Sequence, residues 1–330
     1  MKTRSPGTAA QRIGEADAWC VVALADGSIA TSTRDGVVTI ATAGKSKARK
    51  LTKPSKDPMN VYTLAASPDG ALLAFSSKGL TVFDTATREA LYRLEEGFRP
   101  AFSRDGETLA MLHKNVLLVA NARTGRSVRH VAPDWVRETG AITARIHAIA
   151  FSPDGRSVVA GGEGGRLRFF DLEKSVVAKT VEVRPLPTGP LSAVAWSAQG
   201  RLACAGWGAG VHLRERDGSQ VDLDCTAWLG RDWPPDPGDS AETTGICFSP
   251  DEAMVLSAFD ARGRLPGRAS WATLWDRKSG EALAQLVFER TVVRSVAFTP
   301  DGKSALLGCS SPLHRPLDAD DGLWSWPTGK

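Results

Sequence analysis

Long apolar runs are missing from this chain. Its longest uncharged apolar stretch is Ala18–Ala25, AWCVVALA, against the roughly 20 residues that a membrane helix requires. No membrane span is therefore expected. The opening residues, MKTRSPGTAAQRIGEADAW, have no apolar core and carry Glu15 and Asp17, so no secretory signal is expected either. Cysteine is sparse and odd in number: Cys20, Cys204, Cys225, Cys247 and Cys309, with no CxxC spacing. That argues against a disulfide framework or a zinc site and fits buried free thiols in a reducing cytoplasm. No Asn-x-Ser/Thr sequon occurs. Catalytic signatures are also missing, since the chain holds no GxSxG, HExxH or GxxxxGK[ST]. The five histidines (His113, His130, His147, His212, His314) are scattered. No catalytic residue, metal ligand or cofactor is expected from these patterns.

What is present is ordinary globular composition: 330 residues, 42% hydrophobic and 24% charged, with a net charge of +4. The charge is uneven. Residues 1–60 hold ten Lys/Arg against five Asp/Glu, whereas residues 61–330 hold 31 against 32. The excess sits mostly in Lys45, Lys47, Arg49, Lys50, Lys53 and Lys56. Such a basic patch reads first as a solvated loop and edge strand, and second as a surface for nucleic acid or an acidic partner.

One phrase recurs. FSPDG (Phe151–Gly155) returns as CFSPDE (Cys247–Glu252) and AFTPDG (Ala297–Gly302), and more loosely as AASPDG (Ala65–Gly70) and AFSRDG (Ala101–Gly106). Taking the last turn residue as anchor gives Gly27, Gly70, Gly106, Gly155, Gly200, Glu252 and Gly302, spaced by 43, 36, 49, 45, 52 and 50 residues. Seven units fill the chain. Within Ile146–Val183, IHAIAF alternates with strand period, SPDG makes a turn, and SVVAG, RLRFFD and VVAKTVEV follow as further strands. Proline presets the first turn position, aspartate caps backbone donors, and glycine takes the left-handed position. Gly/Pro turns come too often for helical repeats. Four-stranded sheets that cannot bury both faces alone are stabilised by radial packing. The expectation is an all-β, single seven-bladed propeller over 1–330. Its blades run near 18–55, 60–96, 98–133, 145–184, 190–226, 244–289 and 292–330. The last lacks a fourth strand, which residues 7–13 can supply, closing the ring without an open edge.

The ends of the third strands carry a resemblance. Trp275-Asp276 in ATLWDRKSGEAL is the ending as the WD40-repeat family writes it; Phe170-Asp171 and Phe83-Asp84 are variants, and Arg214-Glu215, Ala120-Asn121 and Trp324-Ser325 are degraded ones. The chain thus resembles a degenerate, bacterial-type WD40-like propeller along its whole length. It departs from that family in lacking the Gly-His pair, because no histidine follows a glycine. The family's buried His–Asp–Ser/Thr–Trp network therefore cannot form in its usual way. The SPDG turn is shared with quinoprotein-like and TolB-like propellers.

The interruptions of the repeat are the candidate site. Inserts at 224–245, 259–270 and 310–322, with a shorter one at 132–144, all fall between fourth and first or second and third strands, on one face. They carry Trp135, Trp228 and Trp233 with Arg137, Arg231, Arg262, Arg264, Arg268 and Arg315. Trp and Arg dominate interface energetics, and the Pro-stiffened DWPPDP segment loses little entropy on docking. The tryptophans can equally pack back onto the propeller as local loop cores. Trp19, Trp196 and Trp275 are expected in the core, Trp324 and Trp326 in closure packing, and DADDG (Asp318–Gly322) as an exposed acidic turn. The resemblance implies a non-catalytic interaction module. It would be a scaffold or regulatory subunit of a bacterial complex, cytoplasmic, monomeric on its own, and partnered with a kinase, protease or defence effector. Two alternatives stay open: a lactonase- or hydrolase-like enzyme with its site in the central channel, and nucleic-acid binding through residues 45–56.

Overall fold

A computed structural model describes residues 2–3, 10–14, 17–42, 48–54, 63–77, 79–95, 97–113, 116–131, 146–183, 189–208, 210–224, 240–262, 270–311 and 316–329. The strands run in chain order. β1 (Lys2–Thr3) and β2 (Gln11–Arg12) come before blade one, which is β3–β6 (Cys20–Ala23, Ile29–Ser32, Val38–Ala41, Arg49–Lys50). Blade two is β7–β10 (Thr63–Ala66, Leu72–Ser77, Gly79–Asp84, Ala90–Leu94), and blade three is β11–β14 (Phe98–Phe102, Thr108–His113, Val116–Asn121, Ser127–Val131). Blade four is β15–β18 (Ile146–Phe151, Ser157–Gly162, Arg166–Asp171, Val176–Glu182), and blade five is β19–β22 (Leu191–Trp196, Leu202–Gly206, Gly210–Arg214, Gln220–Asp224). Blade six is β23–β26 (Ser240–Phe248, Met254–Arg262, Ser270–Asp276, Ala282–Phe288), and blade seven is β27–β29 (Val292–Phe298, Ser304–Ser310, Gly322–Pro327). Every blade is an antiparallel meander, giving the expected all-β, seven-bladed propeller. No helix is long and apolar enough to cross a membrane among the described residues.

The ring closes through β2. Gln11 pairs with Ser325 and Arg12 with Trp324 on β29, making the fourth strand of blade seven, and Ile13 N–H donates to Leu323 O at 2.8 Å. A fifth strand on blade six was not expected: β1 pairs with β26, Lys2 opposite Val287 and Thr3 opposite Leu286. Apolar clusters fill the gaps between neighbouring blades. The largest joins blades six and seven through Leu256, Leu274, Phe288, Leu307 and Trp326. Small alanines on the second strands let sheets approach closely. The seam between blades seven and one is held by Ala18, Val21, Leu306 and Leu323.

The recurring turn works through its serine as much as its aspartate. Ser152 Oγ donates to Asp154 Oδ1 at 2.6 Å and accepts from Ser157 N–H at 2.9 Å, while Asp154 Oδ1 accepts from Arg156 N–H at 3.0 Å. Ser67/Asp69, Ser103/Asp105, Ser249/Asp251 and Thr299/Asp301 repeat this pattern. Gly155 sits at φ 69°, where a side chain would be strained. The acid ending each third strand is also a cap: Asp84 Oδ1 accepts from Thr87 N–H at 2.9 Å and Asp276 Oδ1 from Ser279 N–H at 2.7 Å. Trp275 Nε1 donates to the buried Ser257 Oγ at 2.8 Å.

Blades five and six break this pattern together. Gln199 stands where other turns have aspartate, and Glu252 stands at the glycine position with φ 58°. Glu252 Oε1 caps Gln199 N–H at 2.7 Å, and its Oε2 accepts from Arg201 Nη1 at 2.7 Å. Arg201 also reaches Glu215 Oε2 at 2.7 Å, and Glu215 Oε1 accepts from Arg277 Nη1 at 2.5 Å. The blade-five turn, which lacks the aspartate, is thus tied instead to a carboxylate of the next blade. DADDG also differs from expectation: Asp321 is buried, not exposed. Its carboxylate accepts from Thr291 Oγ1 and, at 2.8 Å, from Asp318 N–H, which locks the loop to the end of β26–β27. Blade six is longer than the sequence pattern suggested. Residues 240–245 and 259–262 are strand, because Ala241, Thr243, Phe259 and Ala261 alternate inward and Phe259 stacks on Trp271 at 5.4 Å.

Two measurements test these turns. The Ser152→Ala protein should lose about 1–2 kcal/mol, because Ser157 N–H is left without its acceptor; a urea midpoint reads this. The Ser67, Ser103, Ser152 and Thr299 hydroxyls, followed by backbone N–H groups, hold Asp69, Asp105, Asp154 and Asp301 below the usual carboxylate range. The folded state therefore binds fewer protons than the unfolded one. The stabilisation is complete above about pH 4 and is lost as pH falls through the lowered folded values. Urea midpoints should drop on acidification below pH 4, with a shallower slope in Ser152→Ala. In a double-mutant cycle, Glu252→Gln and Arg201→Gln should couple by about 1 kcal/mol, and additive losses would show that the clasp is inert.

Candidate functional site

Strands alternate in direction, so first-to-second and third-to-fourth turns share one face, here the lower, and all other connections share the upper. The described ends that flank the four inserts, Val131 and Ile146, Asp224 and Ser240, Arg262 and Ser270, Ser310 and Gly322, are all upper-face ends. The candidate residues Trp135, Arg137, Trp228, Arg231, Trp233, Arg264, Arg268 and Arg315 lie outside the described residues, as do Lys45, Lys47 and Lys56. Arg262 is the last residue of β24, with its backbone opposite Ser240; it therefore belongs to a strand rather than to an insert. Arg49 and Lys50 form β6, the outer strand of blade one, and are exposed, as is Lys53. They sit on the rim, away from the axis.

The axis holds a cavity of about 320 Å³, walled by the upper halves of the first strands of all seven blades. Its polar groups include Thr63, Arg99, Ser192, Thr244, Arg294 and Ser295, and among the described residues no carboxylate or imidazole lines it. At the lower end, Arg104 Nη1 reaches past blade four to Ala198 O at 2.7 Å. Hydroxyls stitch neighbouring first strands: Ser192 Oγ donates to Thr243 O at 2.7 Å, Thr244 Oγ1 to Val293 O at 2.6 Å, and Val21 N–H donates to Ser295 Oγ at 2.7 Å across the closing seam.

The first strands of blades three to seven each carry a β-bulge at the upper end. The extra residue falls within Arg99–Pro100 in blade three and is His147, Ser192, Thr244 and Arg294 in blades four to seven. A bulge takes a residue out of the ladder and re-aims its side chain. His147 Nε2 lies 3.2 Å from Glu163 Oε1. The Arg294 guanidinium lies 4.3 Å above the Trp19 ring, and its Nε donates to Ser310 O at 3.3 Å. Trp19 is therefore half-buried at the mouth and not in the core. Arg99 adopts φ 54° immediately before Pro100, and its neighbour Phe98 is 39% exposed at the strand's upper end.

Other expectations divide. Trp275, Trp324 and Trp326 are buried, and Trp324 packs edge-on against Phe288 at 5.8 Å. Trp196 is half-buried, because its edge contact with Phe169 forms the wall of a second cavity of about 350 Å³ between blades four and five. Burial pushes the thiols of Cys20 to about 11 and of Cys204 and Cys247 to about 12, so they are poor nucleophiles. Cys225 lies outside the described residues. Among the described residues no group of three or more His, Cys, Asp or Glu is placed to hold a metal. Sequence reading missed Phe98, Arg99 and Arg294. The available signal was the residue four places before each closing aromatic (Phe98, His147, Ser192, Thr244, Arg294), which breaks the apolar alternation.

Comparison with known proteins agrees with the architecture. The family model described as WD domain, G-beta repeat matches residues 137–171, which include β15–β17. A WD repeat-containing protein of Synechocystis sp. is 25% identical over 164 residues, covering 49% of this chain and 41% of that protein. The chain thus matches about two fifths of the length of this curated relative. A chain in the crystal structure of the mitotic checkpoint complex superposes with a TM-score of 0.66 at 16% identity, covering 98% of this chain and 93% of that one.

The channel stitching is testable. Ser295→Ala leaves Val21 N–H without its acceptor at the thinnest interface, so it should cost about 1–3 kcal/mol in urea denaturation. An unchanged midpoint would show that the seam does not depend on this bond.

Proposed function

We propose that this chain, which resembles the WD40-repeat family in its seven-bladed architecture and over residues 137–171, is a non-catalytic module that binds another protein through its upper face. The observation that carries this reading is that the exposed Phe98 and the axial arginines lie on the face where the four inserts attach. The axial mouth presents the exposed Phe98 beside Arg99 and Arg294, and four inserts bearing Trp135, Trp228, Trp233 and several arginines join strands at the same face. Aromatic and Arg anchors on a rigid frame are the composition of binding hot spots. Among the described residues the axial wall carries no acid or imidazole for proton transfer, which supports binding over hydrolysis.

The module is a scaffold or regulatory subunit of a bacterial, cytoplasmic complex, in keeping with the Synechocystis relative. Its partner belongs to the kinase, protease or defence-effector type, and the chain is monomeric without it. Fold alone does not specify such a role, so the test is direct. Affinity purification with mass spectrometry should recover a protein bound by the wild type. The Phe98→Ala and Trp228→Ala/Trp233→Ala proteins should bind it at least tenfold more weakly, about 1.4 kcal/mol or more. Full retention by both variants would move the interface off the upper face.

A further inference from the structure

Arg99 is the least comfortable residue of the structure. The other described non-glycine residues at positive φ, Arg88, Ser175 and Glu252, sit in turns, whereas Arg99 lies inside β11. It also precedes proline, which narrows the backbone regions open to it. A left-handed non-glycine residue is strained and persists where its surroundings hold it, characteristically at ligand sites. The bulge at Arg99–Pro100 delivers its side chain into the wall of the axial cavity.

Arg294 lines the same cavity from blade seven, three blades away counting through blades one and two. It too is a bulge residue, held over Trp19. Two guanidiniums therefore share an enclosure of about 320 Å³ whose described wall contains no carboxylate. Glu242 bears electrostatically on Arg99, opposing the effect of burial on its charge, but is not part of the wall. Arg99 makes no hydrogen bond or ion pair to another described residue within bonding distance. An anion in a partly desolvated cavity lined by two guanidiniums is attracted by both. Guanidinium forks match carboxylate and phosphate oxygens bidentately. The volume lies at the small end of the range typical of small-molecule sites.

We infer that the upper end of the central channel is a binding site for a small oxyanion-bearing molecule, carrying phosphate or carboxylate groups, clamped between Arg99 and Arg294. The wall hydroxyl of Ser295, which already accepts from Val21 N–H, keeps its own proton to donate. The site requires no protein partner, so it stands or falls separately from the interaction role.

The experiment titrates the purified full chain with inorganic phosphate and with citrate at constant ionic strength, against chloride, by calorimetry and thermal unfolding. At least one of the two anions should bind saturably and raise Tm, and Arg99→Gln should weaken it at least tenfold. Arg99→Gly is the sharper variant, because glycine accepts the left-handed backbone without strain. It should raise the Tm of the anion-free protein while losing the anion response. Arg294→Gln, checked for folding by circular dichroism, should weaken binding comparably. No saturable response to either anion, or one that survives Arg99→Gln and Arg99→Gly undiminished, would overturn the proposal.

Discussion

A four-stranded blade has two apolar faces and only its neighbours to bury them against. Every other feature depends on that constraint, because it is met only when the ring is complete. Between blades six and seven the burial is generous, with Phe288, Trp324 and Trp326 in one cluster. Between blades seven and one it is lean, with Ala18, Val21, Leu306 and Leu323. Polar ties reinforce that seam: β2 completes the last sheet, Val21 bonds Ser295, and Arg294 lies over Trp19. Velcro-like pairing of distant chain segments makes the lean interface a consequence of topology, since its two sides are about 290 residues apart along the chain.

The lower face is built for economy and the upper for variety. Below, a short Ser–x–Asp device closes one hairpin after another with two side chains and a handful of backbone groups. Where one copy has Gln199 in place of the aspartate, the adjoining copy has Glu252 in place of the glycine, and its carboxylate reaches Gln199 N–H and Arg201 across the interface. The contact is part of an ionic clasp of Arg201, Glu215, Glu252 and Arg277. Its side chains are at most 23% exposed, so it is screened less than an ordinary surface pair.

The repeat and the alternation within each unit made the blade number, the strand order and the closing strand readable before any coordinates. Trp275 was legible because its acid neighbour and its apolar alternation agree. Features set by contacts between units were not. The burial of Asp321 depends on Thr291, thirty residues away, and a run of acids gives no hint of it. Likewise the extension of β23 and β24 depends on Phe259 stacking on Trp271, which pulls into the sheet a segment whose Arg and Gly content reads as loop. The axial mouth escaped notice for a different reason. Its bulge residues are single departures from alternation in blades three to seven, and they become a group only when the strands converge on an axis.

The bulges give that convergence a particular character. Arg99, His147, Ser192, Thr244 and Arg294 mark the bulges of five blades, and they range from short hydroxyls to long guanidiniums. Standing outside the ladder of its own sheet, such a side chain can turn to the next blade, as Ser192, Thr244 and Arg294 do. The innermost ring thus behaves like a socket with interchangeable pins. Substitution there changes the lining of the channel one residue at a time, while the apolar clusters between the blades stay as they are.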